Sequence, residues 1–164
     1  MQPLIAQLRR LYAAAVRICN DLQSLFLLVV RLYWGWQLMQ SGWGKLHNLA
    51  KVTDFFSSLN LPMPAQMAVF ISCVEFFGGL LLVLGLLSRL NALVLVVNML
   101  MAYITADREA FFAFFSDPDK FSAAAPYVFL IASLIVLIFG PGFFSLDRLL
   151  LRRYPYPAGT TSPR

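Results

Sequence analysis

Residues 66–105, QMAVFISCVEFFGGLLLVLGLLSRLNALVLVVNMLMAYIT, decide the fold. This stretch holds two long apolar runs that are separated by Ser88 and Arg89. An α-helix needs roughly 20 apolar residues to cross the hydrocarbon core of a bilayer. Each run is close to that length, so we predict two membrane spans that pack as an antiparallel hairpin around a very short turn.

Two further apolar segments flank this hairpin. Of the 164 residues, 60% are hydrophobic and only 13% are charged, whereas about 25% of residues are charged in a soluble domain. The sequence therefore predicts an all-α membrane protein with a four-transmembrane-helix bundle. The Gly140-Pro141-Gly142 segment is expected to end the fourth helix, because proline lacks a backbone N–H and clashes with the preceding turn. The predicted spans cover residues 24–46, 66–87, 90–105 and 124–139.

The N-terminal segment has a helical periodicity of its own. Apolar residues recur every three or four positions from Leu4 to Leu22, while Arg9, Arg10 and Arg17 lie on other faces. This pattern predicts a basic amphipathic helix on the cytoplasmic membrane surface. No cleavable signal peptide is expected, since the first apolar run is long and lacks a cleavage site. We thus predict a cytoplasmic amphipathic segment over 1–21, a transmembrane domain over 22–150, and a disordered Pro-rich tail over 151–164.

The distribution of basic residues predicts the orientation. Lys and Arg are enriched in cytoplasmic loops. Eight arginines lie beside the termini and the Ser88-Arg89 turn, against four basic residues in the other two loops. Both termini are therefore predicted to be cytoplasmic. The net charge of +5 is attributed to this membrane surface, and no nucleic-acid partner is predicted.

The two longer loops are predicted to lie at the outer face. Residues 49–59 place apolar side chains at helical spacing, which predicts a short interfacial helix. Residues 111–121, FFAFFSDPDKF, put aromatic side chains next to acidic ones. This composition is typical of the headgroup boundary, so an anchor at the membrane edge is favoured over a substrate lid.

Three of the polar residues inside the predicted spans form a candidate intramembrane site: Arg31, Glu75 and Asn98. A charge at the bilayer centre costs at least about 2.5–3.5 kcal/mol, so it is expected to face the bundle and find a partner. Counting residues from the span ends predicts that Arg31 meets Glu75 near the midplane, with Asn98 close by. The pair is interpreted either as a structural clasp or as a site for a ligand, a proton or a quinone headgroup.

A second set of polar residues is expected near the outer mouth of the bundle. The chain has one histidine, which excludes a multi-histidine metal site within one chain, and its two cysteines form no CxxC motif. No metal site is therefore predicted. No motif specifies a cofactor, although a quinone would suit the polar and aromatic cluster. The outer-mouth candidates are Lys45, His47, Tyr103 and Asp107.

Six motifs occur along the chain in a fixed order: Arg31, Gly42-Trp43-Gly44-Lys45-Leu46, Leu59-Asn60-Leu61-Pro62-Met63-Pro64, Glu75-Phe76-Phe77-Gly78-Gly79, Gly85-Leu86-Leu87-Ser88-Arg89 and Gly140-Pro141-Gly142-Phe143-Phe144-Ser145-Leu146-Asp147. In their order and spacing these motifs resemble the DoxX family of small bacterial membrane proteins, and the similarity extends over roughly residues 26–150. The resemblance implies a four-helix fold in the bacterial inner membrane. The positions of interest that it implies are Arg31, Lys45, Glu75, Arg89 and Asp147.

The resemblance implies two classes of function. Members of the family are linked to a thiosulfate:quinone oxidoreductase, to redox-stress complexes and to gene clusters that mature metal-binding peptides. One hypothesis is thus an accessory subunit of a quinone-linked redox system with an oxidoreductase partner. The alternative is a non-enzymatic scaffold or maturation factor that recruits a soluble partner through its basic face. The bilayer is a partner in both cases, and a homo-oligomer is compatible with either. Transport of a small solute ranks below both, because so short a chain would have to oligomerise.

Overall fold

The computed structural model describes the backbone of residues 2–153 and the side chains of residues 7, 9 and 11–150. Within this range the chain is all-helical, which confirms the predicted class. The eight described helices are α1 (Gln2–His47), α2 (Leu49–Ser58), α3 (Pro64–Leu84), α4 (Ser88–Thr105), α5 (Arg108–Phe112), α6 (Pro118–Ala123), α7 (Pro126–Phe139) and α8 (Leu146–Arg153).

α1 is a single continuous helix of 46 residues, about 69 Å long at 1.5 Å per residue. No glycine or proline lies between Leu4 and Trp34, so nothing in the backbone breaks the helix at the predicted boundary after residue 21. A separate N-terminal amphipathic helix is therefore not confirmed. At the other end of the chain, residues 151–153 continue α8. The predicted tail thus starts inside a helix, and its other residues lie outside the described range.

In the part of the chain that the structure describes, three helices are long and apolar enough to cross a membrane, namely Leu11–His47, Pro64–Leu84 and Ser88–Thr105. α7 is apolar except for Ser133 and the Tyr127 hydroxyl, but it has only 14 residues, or about 21 Å, which is shorter than the roughly 30 Å of hydrocarbon. The structure thus supports three candidate spans, and the fourth stays a prediction. α7 packs on α4, while α1 packs mainly on α3.

Small residues bring α1 and α3 into close contact. A Cβ atom added to Gly42 or to Gly79 would collide with backbone atoms of the opposite helix, so the two helix axes can approach only because these positions are glycine. In all three glycine contacts the two residue numbers have the same sum, as an antiparallel register requires. The contacts are Gly35 with Val83, Gly79 with Met39, and Gly42 with Phe76.

The turn between α3 and α4 is held by the segment after α7. Gly85 ends α3 with a φ of +66°, a left-handed conformation that glycine adopts without strain. The Asp147 carboxylate accepts hydrogen bonds from the backbone N–H groups of Leu87 at 2.7 Å and Ser88 at 2.8 Å. A carboxylate in this position caps the start of α4. α7 ends at Phe139, which confirms Gly140-Pro141-Gly142 as the predicted stop.

The end of the bundle away from the α3–α4 turn carries the short helices α2, α5 and α6. The helix predicted over 49–59 is confirmed as α2, which buries Phe56, and the predicted aromatic loop contains the end of α5 and the start of α6. Lys120 Nζ lies 2.9 Å from Glu109 Oε2 in this region. Through this hydrogen bond the Lys120 ammonium lowers the pKa of Glu109, and Glu109 raises the pKa of Lys120. Both groups are exposed, so the pair contributes little to stability.

Candidate functional site

A cavity of about 290 Å³ lies at the α2 end of the bundle, between α1, α3, α4 and the start of α7. The aromatic side chains Phe55 and Phe56 reach it from α2, and Met99 and Phe129 reach it from α4 and α7. Phe55 is 49% exposed, so the cavity extends to the protein surface at this edge. Apolar side chains supply most of the lining, which is typical of a site for a small molecule.

One ion pair lies in the wall of this cavity. Lys45 Nζ is 2.5 Å from Glu75 Oε1, and the Ser41 hydroxyl donates to Glu75 Oε2 at 3.0 Å. Ser41 and Lys45 are four residues apart, so both lie on the same face of α1 and reach the same carboxylate on α3. The Glu75 side chain is only 6% exposed, against 35% for Lys45. Glu75 thus holds the Lys45 ammonium at a fixed place in the wall, where a bound molecule can accept a hydrogen bond from it.

Asn98 lies in the same wall, on α4. Its side chain is half-buried, and its amide has no hydrogen-bond partner in the part of the chain that the structure describes. Asp107 lines the cavity near the end of α4. Glu75, Asn98, Lys45 and Asp107, predicted as members of two separate sets, therefore line one cavity.

The predicted pairing of Arg31 with Glu75 is wrong. Arg31 Nε donates to the carbonyl of Leu82 at 3.1 Å, seven residues further along α3 than Glu75, or about 10 Å. The prediction placed both charges by counting from the span ends, but the glycine contacts between α1 and α3 determine the register. That register brings Ser41 and Lys45 to Glu75, and it brings Arg31 to the end of α3.

Arg31 has a structural position at that end. Its guanidinium donates to the carbonyls of Leu82, Val83 and Pro141, and its side chain is 1% exposed. The last carbonyls of a helix have no partner within it, so Arg31 satisfies two of them on α3 and joins them to the segment after α7. Asp147 caps the start of α4 beside it, and together these contacts fix the helical hairpin.

Two of the outer-mouth candidates lie away from the cavity. His47 is exposed on the last turn of α1, with Nδ1 2.9 Å from the carbonyl oxygen of Trp43 and its ring 4.2 Å from the Trp43 ring. Tyr103 is fully buried, and its hydroxyl donates to the carbonyl of Phe121 at 2.8 Å. Its ring stacks on Phe121, so Tyr103 anchors the loop that follows α4.

Sequence reasoning missed Ser41 and the aromatic residues of α2. Ser41 precedes Lys45 by one helical turn, a spacing that could have identified it. No comparable spacing in the sequence predicts that α2 lies over the cavity, because the position of α2 depends on the turn between α2 and α3. In the described range no three His, Cys, Asp or Glu side chains cluster in a way that could hold a metal ion.

Fold and site define a small helical membrane protein with several candidate spans and a polar-walled cavity at one end of the bundle. The chain belongs to the DoxX family, whose model matches residues 26–108, about half of the chain. Of the positions of interest, the match covers Arg31, Lys45, Glu75 and Arg89, and Asp147 lies beyond it.

Three relatives are each 26% identical to the chain. The protein named "Putative oxidoreductase CatD" from Bacillus subtilis (strain 168) aligns with 76% of this chain and 87% of its own length. "Inner membrane protein YqjF" from Escherichia coli (strain K12) aligns with 82% of this chain and 99% of its own length. A Haemophilus influenzae protein without a functional name aligns with 79% of this chain and 85% of its own length. No solved structure matches the chain.

Proposed function

We propose that this chain is an accessory membrane subunit of a quinone-linked redox system, and that its cavity binds the quinone. The observation that carries the proposal is the apolar cavity with the Lys45–Glu75 pair in its wall. A quinone combines a flat apolar ring with carbonyl oxygens that only accept hydrogen bonds. The Lys45 ammonium and the Asn98 amide supply donors from two helices, while Phe55 and Phe129 supply ring-sized apolar surface.

The cavity volume of about 290 Å³ is at the lower end of the range for small-molecule sites. It suits a headgroup whose apolar tail leaves through the exposed edge near Phe55 into the lipid. Reduction of the bound quinone to the hydroquinone takes two electrons and two protons. A partner oxidoreductase supplies the electrons, and the role of this chain is to bind and orient the ring.

The relatives support the proposal in two respects. One carries a name that includes oxidoreductase, and another is named an inner membrane protein. We accordingly propose that the chain is a multi-pass protein of a bacterial inner membrane, with four spans and with both termini in the cytoplasm. The eight arginines near the termini and the Ser88-Arg89 turn support this orientation.

Quinone binding can be measured through Trp34. Its ring lies 6.2 Å from that of Phe129, edge to face, and Phe129 lines the cavity. A variant with Trp36→Phe and Trp43→Phe keeps Trp34 as its single tryptophan. In nanodiscs, decylubiquinone should quench this fluorescence with a saturable dependence on concentration.

Glu75→Gln in that background should weaken quinone binding about tenfold, because Lys45 loses the charge that fixes its position. The matched control is Glu109→Gln, which removes the exposed partner of Lys120 and should leave binding unchanged. Linear quenching without saturation, or equal affinities for the two variants, would contradict quinone binding at this site.

A second candidate function is a scaffold or maturation factor that recruits a soluble partner, for example in the maturation of a metal-binding peptide. It is favoured by the N-terminal half of α1, where Arg17 is exposed and Leu11 and Ile18 are 65% and 60% exposed. Deletion of residues 2–20 should release the partner from membranes while the shortened chain stays inserted. A partner retained by the shortened chain would count against this role.

A further inference from the structure

A second concave site lies at the end of the bundle opposite the cavity. This groove of about 550 Å³ runs between α1, the end of α3 and residues 143–149. Two arginines, Arg31 and Arg148, are among the residues that line it, and no acidic residue in the described part of the chain is. The rest of the wall is almost entirely apolar.

Arg148 is the accessible charge of the groove. Its guanidinium carbon lies 4.2 Å from the centre of the Phe143 ring. In a cation–π contact of this kind, the flat face of the guanidinium packs on the aromatic ring and is held there. The N–H groups at the edge of the guanidinium can then bind an anion. The planar fork of arginine matches two phosphate oxygens at once.

Arg31 adds buried positive charge to the floor of the groove. Its hydrogen bonds go to neutral carbonyls, and no carboxylate of the described residues forms an ion pair with it. Asp147 acts on Arg31 from nearby and offsets one of the two positive charges, which leaves the groove with the net positive charge of Arg148. The groove therefore favours an anion.

The apolar wall indicates what kind of anion. Leu32 is 45% exposed on α1, Leu84 is 42% exposed at the end of α3, and Leu149 is 61% exposed on α8. α3 is a candidate span that ends at Leu84, so these side chains lie where hydrocarbon meets headgroups. A ligand that fits must join an anionic head to a long apolar chain.

We propose that this groove binds an anionic phospholipid, with its phosphate on Arg148 and one acyl chain along Leu32, Leu84 and Leu149. The phosphate compensates the charge of Arg148, and the acyl chain covers apolar surface of the protein. The lipid bridges α1, α3 and α8, and this role does not depend on whether the opposite cavity binds a quinone.

Native mass spectrometry of the full chain in detergent tests the proposal. Phosphatidylglycerol should bind at least tenfold more tightly than phosphatidylcholine with the same acyl chains. Arg148→Ala should weaken phosphatidylglycerol binding about fivefold, the usual contribution of one arginine to an anionic lipid surface. The matched control is Arg108→Ala, which removes another exposed arginine that lies over an aromatic ring, at 5.7 Å from Phe112. It should leave lipid binding unchanged.

A second variant tests the acyl-chain part without changing charge. Leu32→Trp should fill the groove and weaken phosphatidylglycerol binding, and it gives a result even where Arg148→Ala impairs folding. Equal affinities for the two lipids, equal effects of Arg148→Ala and Arg108→Ala, or no effect of Leu32→Trp would each overturn the proposal. Inorganic phosphate that competes as strongly as the lipid would identify a phosphate site instead.

Discussion

Replacing Arg31 with methionine tests whether this residue holds the end of α3. Methionine retains most of the apolar stem and removes the guanidinium. The carbonyls of Val83 and Pro141 then lose the donor that Arg31 supplies, and the carbonyl of Leu82 keeps only the Gly85 N–H at 3.2 Å. Because the Arg31 side chain is 1% exposed, we expect little water to replace it.

The expected loss of stability is about 3 kcal/mol. An unsatisfied buried polar group costs about 1–3 kcal/mol, so the carbonyls of Val83 and Pro141 together set an upper limit of several kcal/mol. Methionine also removes the cost of burying a charge, which offsets part of that loss. Arg31→Lys should recover less than half, because a compact ammonium cannot reach all three carbonyls as a planar guanidinium does.

The assay is reversible unfolding in mixed micelles of detergent and dodecyl sulfate, followed by circular dichroism. The matched control is Arg17→Met, the same change at an exposed position of the same helix, and it should alter the unfolding free energy by less than about 0.5 kcal/mol. If Arg31→Met changed stability as little as Arg17→Met, the structural role assigned to Arg31 would be wrong.

Two further predictions concern packing and capping, and the same unfolding assay checks both. Gly42→Leu should prevent stable folding, because even a Cβ there would collide with the Phe76 backbone, whereas Gly44→Ala meets no atom within 4 Å and should stabilise the helix by about 0.5–1 kcal/mol; tolerance of leucine at 42 would refute the α1–α3 register. Asp147→Ala should cost about 0.5–2 kcal/mol by removing the cap of α4, and Asp147→Asn should recover part of it, so identical losses for the two variants would argue against capping.

Much of the fold could be predicted from the sequence because long apolar runs and helix-ending residues are local signals. The α3–α4 hairpin and the stop at Gly140 follow from such signals. The continuity of α1 was missed because an amphipathic segment and an apolar span have different compositions, which suggested two elements. The backbone has no reason to break there, since neither glycine nor proline occurs between Leu4 and Trp34.

Four of the seven predicted site residues line the cavity, but the contacts between them were not predicted. Glu75 and Asn98 were identified because polar side chains are costly in lipid, and Lys45 and Asp107 because they fall near the outer ends of the predicted spans. Which charge meets which depends on the register of two helices, and a shift of one turn along a helix, about 5.4 Å, changes every partner. The glycines at 35, 42 and 79 determine that register, so small residues decide the electrostatic contacts of their larger neighbours.

The residues to which the family resemblance points therefore fall into two groups, according to where they lie in the bundle. Arg31 and Asp147 bind backbone groups of α3 and α4, and these contacts hold the turn of the hairpin. Lys45 and Glu75 instead face a cavity, where a purely structural pair would leave about 290 Å³ of space beside it. A buried ion pair adds little net stability compared with apolar packing. The free space beside Lys45 and Glu75 is thus the reason to look for the function at this pair rather than at Arg31.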